Sequence, residues 1–147
     1  MKTIFKISNA IFAILMVIFV TSCNKKLENQ IDINIDIDFI IYPNSLEYQE
    51  LNVVGGWMYL TAPLPSYGII VYKYSIDEFR AYDRKPLITN ESCPENRLVV
   101  DEYFPYIYDE CNDQSFSILD GMNKNGDGSH LYWYQTEFDG TSLRIHN

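Results

Sequence analysis

The residues of this sequence that could do chemistry are few and widely spaced. There are three cysteines, Cys23, Cys93 and Cys111, and two histidines, His130 and His146. A cysteine–histidine nucleophile pair would need His130 to orient against a cysteine in space, and no spacing in the sequence requires this. Zinc would need four converging Cys or His ligands, but neither C-x-x-C nor H-x-x-x-H spacing occurs. Taken alone, Cys111 could be a metal ligand, a nucleophile, half of a disulfide or core filler.

The oxygen-bearing residues offer one pattern that resembles a calcium loop. Residues 123–128 (NKNGDG) have oxygen ligands at positions 1, 3 and 5 of such a loop, but position 12 is Tyr134 rather than glutamate. We therefore interpret this segment as a turn between two strands and keep a calcium site in residues 123–127 as an alternative. The carboxylates are numerous, yet no spacing singles out a general acid–base pair.

The N-terminus predicts export and a lipid anchor. A basic start with Lys2 and Lys6 precedes an apolar run over residues 10–20, which is typical of a secretory signal peptide and short for a membrane span. The following V-T-S-C resembles the bacterial lipobox, whose cysteine is acylated before the signal is cut off. This resemblance implies a signal peptide over residues 1–22, lipidation of Cys23, a tether over residues 23–30 and a domain over residues 31–147.

Removal of residues 1–22 deletes two lysines and no acid, so the formal net charge falls from −9 to about −11. Such a chain repels phosphate backbones, and we expect no nucleic-acid partner. The remaining 125 residues suit one domain with its own hydrophobic core. We expect it on the outer membrane or the periplasmic face of a bacterial envelope, where a pair of cysteines tends to form a disulfide.

The apolar patterning predicts an all-β domain. Residues 31–39 (IDINIDIDF) alternate apolar and polar side chains, which favours a half-buried strand over a calcium ladder. Short runs rich in Tyr, Phe, Ile and Val follow, separated by Gly and Pro, and no segment after the signal has ten residues of helical period. Asp139 and Gly140 predict a two-residue hairpin turn. We expect eight to ten short strands in a small antiparallel sandwich or barrel.

The aromatic and acidic run DEYFPYIYDE, residues 101–110, has two interpretations. Exposed tyrosines beside carboxylates could stack on sugars or bind a protein partner. The structural interpretation is two strands bent at Pro105 that bury alternate tyrosines, and we favour it.

The order of the motifs carries a family resemblance. LNVVGGWMYL, GIIVYKY and DEFRAYDR follow one another from residue 51 to 84, and SFSILDG and LYWYQTEFDGTSLRI follow from residue 115. In this order they resemble the two halves of a Rieske domain, and with the lipobox they are similar to Rieske-like lipoproteins of the Bacteroides group. The resemblance implies a Rieske-like all-β fold in which two loops hold a 2Fe–2S cluster through C-x-H and C-x-x-H motifs.

This sequence departs from the family at the cluster ligands. Aligned on Phe116, the ligand cysteine and histidine of the second loop become Asp109 and Asn112, and aligning on Cys111 instead puts Gln114 in the histidine position. No alignment supplies an imidazole, so we expect no metal ligand and no cofactor. The resemblance also implies that Cys93 and Cys111 form the disulfide that joins the two loops in high-potential members of the family.

The resemblance implies a non-enzymatic binding or structural module that works through residues 86–94 and 106–115. The candidate binding residues are Asp109, Asn112, Asp113 and Gln114, and the expected partner is an envelope protein or a glycan. One alternative is an electron carrier with a 2Fe–2S cluster on unusual ligands, namely Cys93, Cys111, Asp109 and His130. A second alternative is a calcium- or glycan-binding lipoprotein that uses residues 123–127 or the tyrosine-rich run.

Overall fold

The structure, a computed structural model, describes residues 36–147. They belong to one compact unit, Ile31–Asn147, which we expect to fold without the residues before it because it has its own core. The predicted signal peptide, Cys23, the tether and the first five residues of the predicted leading strand lie outside the described residues. Within residues 36–147, no helix has the length and apolar character needed to cross a bilayer.

The prediction of an all-β domain is confirmed. The described residues form nine strands that pair antiparallel. The strands are β1 (Asp38–Ile41), β2 (Trp57–Leu60), β3 (Ile69–Lys73), β4 (Phe79–Asp83), β5 (Val99–Val100), β6 (Tyr106–Asp109), β7 (Gln114–Ser117), β8 (Trp133–Phe138) and β9 (Leu143–His146).

The strands form a large and a small sheet. The six-stranded sheet has the order β1-β9-β8-β4-β3-β2 and curls into a half-barrel, and the three-stranded sheet has the order β5-β6-β7. The chain leaves the large sheet after β4, builds the small sheet and returns through β8. The small sheet is therefore an insertion, and its two connections to the large sheet are long.

Two hydrophobic clusters lie on opposite faces of the large sheet. Ile69, Val71 and Tyr134 point to one cluster, which also contains Leu51 from outside the sheet. On the other face, Tyr82 packs in a cluster with side chains of the small sheet. Because both faces of β3 are covered, all five of its residues are buried, which explains its nearly continuous apolar sequence.

The structure differs from the sequence-based expectation at two elements. Within the described residues, the leading strand covers Asp38–Ile41, so residues 36 and 37 of the predicted strand lie outside it, although Ile37 is buried and Asp38 exposed, as the alternation predicted. Leu46–Asn52 forms a kinked 3₁₀ helix that was not predicted. Its seven residues are too few for a helical period to stand out, and tertiary packing of the fully buried Leu51 stabilises it.

The structure also differs from the sequence-based expectation in the length of the β8–β9 turn and in the burial of the tyrosines of residues 101–110. The β8–β9 turn has four residues rather than two, because Phe138 pairs with Leu143. The Asp139 carboxylate accepts hydrogen bonds from the backbone N–H groups of Thr141 and Ser142, at 2.8 and 2.6 Å, and so holds the longer turn. In residues 101–110, the expected burial of alternate tyrosines is wrong.

The residues buried on β6 are Ile107 and Asp109, whereas Tyr106 and Tyr108 are half-buried. Tyr103 lies outside the strands and is 73% exposed. The tyrosines therefore face outward because the inward positions of this short strand are filled by an isoleucine and a carboxylate.

Candidate functional site

A disulfide joins two loops at one end of the molecule. Cys93 lies in the connection from β4 to β5, and Cys111 lies in the tight turn between β6 and β7. Their sulfurs are bonded at 2.04 Å, with 6.3 Å between the Cα atoms. The predicted pairing is confirmed, and Cys111 is half of a disulfide.

The buried carboxylate of Asp109 holds the turn that carries Cys111. Asp109 ends β6 and is completely buried. Its Oδ1 accepts hydrogen bonds from Asn96 Nδ2 at 2.6 Å and from the backbone N–H groups of Cys111 and Asn112 at 3.1 and 3.2 Å, while its Oδ2 accepts one from Asn112 Nδ2 at 2.9 Å. These donors compensate for burying the charge. Asp109 therefore shapes the turn and presents no group to a ligand.

The loops are joined by hydrogen bonds as well as by the disulfide. Asn96 of the first loop donates to Asp109 of the second, and Asn112 of the second donates to the carbonyl of Ile88 in the first, at 3.0 Å. The two positions that the family resemblance assigns to cluster ligands, Asp109 and Asn112, are therefore occupied by residues that bond to each other and to the first loop.

The loops enclose a shallow concavity with about 220 Å³ of space, counted out to open solvent. Tyr67, Pro86, Ile88 and Pro94 contribute apolar surface together with the disulfide, and the polar lining residues are threonine and asparagines. No lining residue is charged. The concavity is therefore a shallow, uncharged depression whose surface consists of ring and aliphatic carbons and a few amides.

Of the four predicted binding residues, only Asn112 lines the concavity. The Asp113 carboxylate accepts a hydrogen bond from the Tyr108 hydroxyl at 2.7 Å, and this bond raises the pKa of the tyrosine. Gln114 pairs with Asp109 across the β6–β7 hairpin. The sequence placed these residues by position in the loop, but the tight turn points them in different directions.

Sequence reasoning missed a second buried carboxylate, Asp83 at the end of β4. It is completely buried and accepts hydrogen bonds from Ser66 Oγ and Tyr134 Oη, both at 2.6 Å, and from the Lys85 backbone N–H at 2.7 Å. Burial and the bond to Asp83 raise the pKa of Tyr134. Asp83 therefore fixes the start of the first loop, and no spacing signals this because Ser66 and Tyr134 are 17 and 51 residues away.

The segment that resembles a calcium loop is a turn closed on itself, as interpreted from the sequence. Asn123 Nδ2 donates to Asp127 Oδ2 at 3.4 Å, and its Oδ1 accepts from the Asn125 backbone N–H at 2.9 Å. The hydroxyl and backbone N–H of Ser129 donate to Asp127 and lower the pKa of that carboxyl. The amide nitrogen of Asn123, rather than an oxygen, faces Asp127, so this arrangement does not support a calcium site.

Neither histidine lines the concavity at the disulfide. The His130 ring packs against Trp133 in a tilted arrangement, with 4.8 Å between centroids, and His146 Nε2 lies 3.5 Å from Glu137 Oε1. Among residues 36–147, no three Cys, His, Asp or Glu side chains form a group that could hold a metal ion. The two cysteines are bonded to each other and Asp109 is enclosed by donors, so the residues of these loops do not fit a 2Fe–2S cluster.

Comparison with known proteins finds no matching family model, no matching curated protein and no matching solved structure. The likeness to Rieske domains therefore rests on the sequence alone.

Proposed function

We propose that this chain is a lipid-anchored protein of a bacterial envelope whose Rieske-like domain holds no cluster and acts as a binding module. The site is the disulfide-linked pair of loops, residues 86–94 and 106–115. The observation that carries the proposal is the uncharged concavity between them, which is supported on both sides by fixed side chains.

The chemistry of the loops favours binding over electron transfer. A cluster needs free thiolates and imidazoles, but Cys93 and Cys111 are consumed by their disulfide, and the carboxylate of Asp109 already accepts four hydrogen bonds.

The rigidity of the loops favours recognition. A disulfide, the Asn96–Asp109 bond and the Asn112–Ile88 bond fix the two loops to one another, and Asp83 fixes the start of the first loop to β8 through Tyr134. Loops held in one conformation lose little entropy when a ligand binds, which raises affinity for a given contact area.

An absorption spectrum with iron quantification separates this proposal from the electron-carrier alternative. We would purify the chain from Asn24 onward without oxygen, because Ile31–Asn147 is a compact unit with its own core. A folded, colourless protein without iron is the expected result. Visible bands with about two irons per chain would show that the loops bind a cluster and would overturn the proposal.

Photo-crosslinking tests the binding site itself. A photoreactive phenylalanine analogue replaces Ile88, which lines the concavity and is 52% exposed, in the lipid-anchored chain in the cells that produce it. The matched control replaces Ile76, which is 74% exposed in the β3–β4 hairpin at the opposite end of β4. We expect a specific adduct from position 88 alone. Equal or absent crosslinking at both positions contradicts a site in these loops.

A further inference from the structure

Arg84, the residue after β4, is held by contacts from three segments of the chain. Its backbone N–H donates to the carbonyl of Gly68 at 2.9 Å. Its side-chain Nε donates to the carbonyl of Leu98 at 2.9 Å, and its guanidinium lies 3.9 Å from the centre of the Tyr59 ring. These contacts fix the position of the guanidinium and use its Nε and one of its faces.

The two terminal nitrogens of Arg84 have no such partners. Within residues 36–147, neither Nη1 nor Nη2 makes a hydrogen bond or an ion pair, although the side chain is half-buried. The neighbouring Asp83 forms no ion pair with it, and its carboxylate accepts hydrogen bonds from Ser66 and Tyr134. A guanidinium whose Nε is occupied still presents Nη1 and Nη2 side by side, so it can donate to two oxygens of one anion.

A second arginine adds to the positive charge at this place. Arg97 is exposed and directly precedes Leu98, whose backbone N–H donates to the Arg84 carbonyl at 2.8 Å. Burial lowers the pKa of Arg84 most, and the charge of Arg97 lowers it as well, whereas Tyr59 and Asp83 act in the opposite direction. The two positive charges are therefore close enough to repel each other, and an anion bound to both would relieve the repulsion.

The missing counter-charge is unusual for this composition. The chain has 20 acidic and 11 basic residues, and partly buried charges in proteins are ordinarily paired. Arg80 shows the ordinary arrangement, because it lies 4.7 Å from the centre of the Tyr74 ring and also forms an ion pair with Glu78 at 3.7 Å. Arg84 stacks on a tyrosine in the same way, but within residues 36–147 neither it nor Arg97 forms an ion pair with a carboxylate.

We propose that Arg84 and Arg97 form a binding site for a sulfate or phosphate group, either free or carried on a larger molecule. Nη1 and Nη2 of Arg84 donate to two oxygens of the group, and Arg97 supplies the second positive charge. A doubly charged anion is therefore preferred to a singly charged carboxylate. The inference goes beyond the proposed function, because neither arginine lines the concavity.

Titration of anions into the ¹⁵N-labelled chain from Asn24 onward tests the site. Sodium chloride keeps the ionic strength constant, and the signals followed are the Arg84 Nε–H and the backbone amides of Arg84 and Leu98. Sulfate should shift these signals to saturation, and acetate should bind at least threefold more weakly. Because the chain has a formal net charge of −9, general attraction of anions to its surface does not produce such a response.

Three variants assign the binding to the two arginines. Arg84→Lys keeps the charge but loses the paired terminal nitrogens, and Arg97→Gln removes the second charge from an exposed position. We expect each to weaken sulfate binding at least threefold. The matched control is Arg80→Gln, which removes an arginine that also stacks on a tyrosine but already has a carboxylate partner, and it should leave the affinity unchanged. The amide spectrum of each variant reports whether it is folded.

Two phosphates separate a free anion from a group on a larger molecule. Inorganic phosphate and methyl phosphate are titrated at pH 7.5, where the ester is mostly doubly charged. Equal affinities assign the site to a phosphate group carried on a larger molecule. An affinity at least threefold lower for methyl phosphate assigns it to the free anion.

Four results would overturn the inference. Sulfate shifts that do not saturate would mean that no site exists, and equal affinity for acetate would mean that the second charge has no effect. An undiminished affinity in Arg97→Gln, or an equal loss in Arg80→Gln, would mean that these two arginines do not form the site. The proposed function is judged separately, by iron content and by crosslinking at position 88.

Discussion

Asp83 and Asp109 show how single residues hold the site. Both carboxylates are completely buried and neither has an ion-pair partner among the described residues. Each is stabilised instead by hydroxyl, amide and backbone donors, four of which point at Asp109. Removing a donor from such a carboxylate should lower the free energy of unfolding more than removing a buried hydroxyl that has no partner.

Two tyrosines provide the comparison. We expect Tyr134→Phe to lower the free energy of unfolding by about 1–3 kcal/mol, because the buried Asp83 loses a donor. Tyr82→Phe should leave stability unchanged or raise it, because the Tyr82 hydroxyl is buried without a hydrogen-bond partner among the described residues. Urea unfolding of both variants checks this, and equal losses would contradict it.

Asp139 gives a prediction for pH dependence. Hydrogen bonds from Ser142 and Thr141 lower its pKa below the ordinary aspartate value. The turn's contribution to stability is therefore present above the unfolded-state pKa and is lost as the pH falls through the lowered folded-state pKa. A carboxyl NMR titration should give the lowered value, and Ser142→Ala, which removes the hydroxyl donor, should raise it. An ordinary pKa in the parent chain contradicts this account.

At the scale of elements, the placement of the small sheet depends on how the segment after β7 packs against the large sheet. Gly121 follows β7 and lies against the ring of Tyr82 on β4, where a Cβ atom would come within 2.8 Å of Tyr82 Cε1. Its φ of +73° is also a conformation that favours glycine. The absence of a side chain is thus what lets the two sheets approach each other at this point.

Gly121→Ala and Gly126→Ala separate the packing effect from the backbone effect. Both glycines have positive φ, +73° and +70°, but a Cβ at position 126 would meet nothing within 4 Å. Overpacking costs about 1–3 kcal/mol, so we expect Gly121→Ala to be more destabilising than Gly126→Ala by about that amount. Thermal or urea unfolding provides the measurement. Similar losses would show that backbone strain alone limits both positions.

The disulfide is the covalent fastening between the loops, and it closes a segment with a sequence separation of 18 residues. We expect the double variant Cys93→Ser/Cys111→Ser to lose about 3 kcal/mol of unfolding free energy, chiefly because the unfolded chain becomes less constrained. In the parent chain, unfolding without reductant should leave both cysteines protected from alkylation. Alkylation of both would show that the bond does not form in the purified protein.

For the whole molecule, the acidic charge decides how a membrane could hold it. With a formal net charge of −9, the chain is repelled by anionic headgroups, so its surface provides no electrostatic attachment. Under the proposed function, acyl chains on Cys23 are then the whole attachment.

Cys23→Ser tests this in a bacterial host. The parent chain should incorporate a radiolabelled fatty acid and sediment with membranes at both low and high salt. The variant should carry no label and should keep residues 1–22, because the signal is cut off only after acylation, so it should migrate as a larger protein than the parent chain. Labelled variant protein, or variant protein cut before residue 23, would contradict the lipobox interpretation. Release of the parent chain from membranes by high salt alone would contradict the electrostatic argument.

The sequence by itself determined the class of fold. Period-two alternation and the Gly and Pro breaks are local signals, and the short apolar runs between those breaks coincide with β2, β3 and β4. The sequence also showed which residues of β1 point inward and which point outward. The 3₁₀ helix was missed because its seven residues are stabilised by burial of Leu51 rather than by local propensity.

Only the tertiary structure decided the character of the site. The motif order suggested which cysteines pair, but Asp109 was predicted as a binding residue and is instead buried beneath the disulfide. The hydrogen bonds of Asp83 connect residues that are far apart in the sequence. The uncharged concavity likewise brings together residues from separate segments, such as Tyr67 and Cys111. Whether a side chain faces a ligand or the core depends on these long-range contacts, because two or three residues of a tight turn point in different directions and no periodic pattern records which.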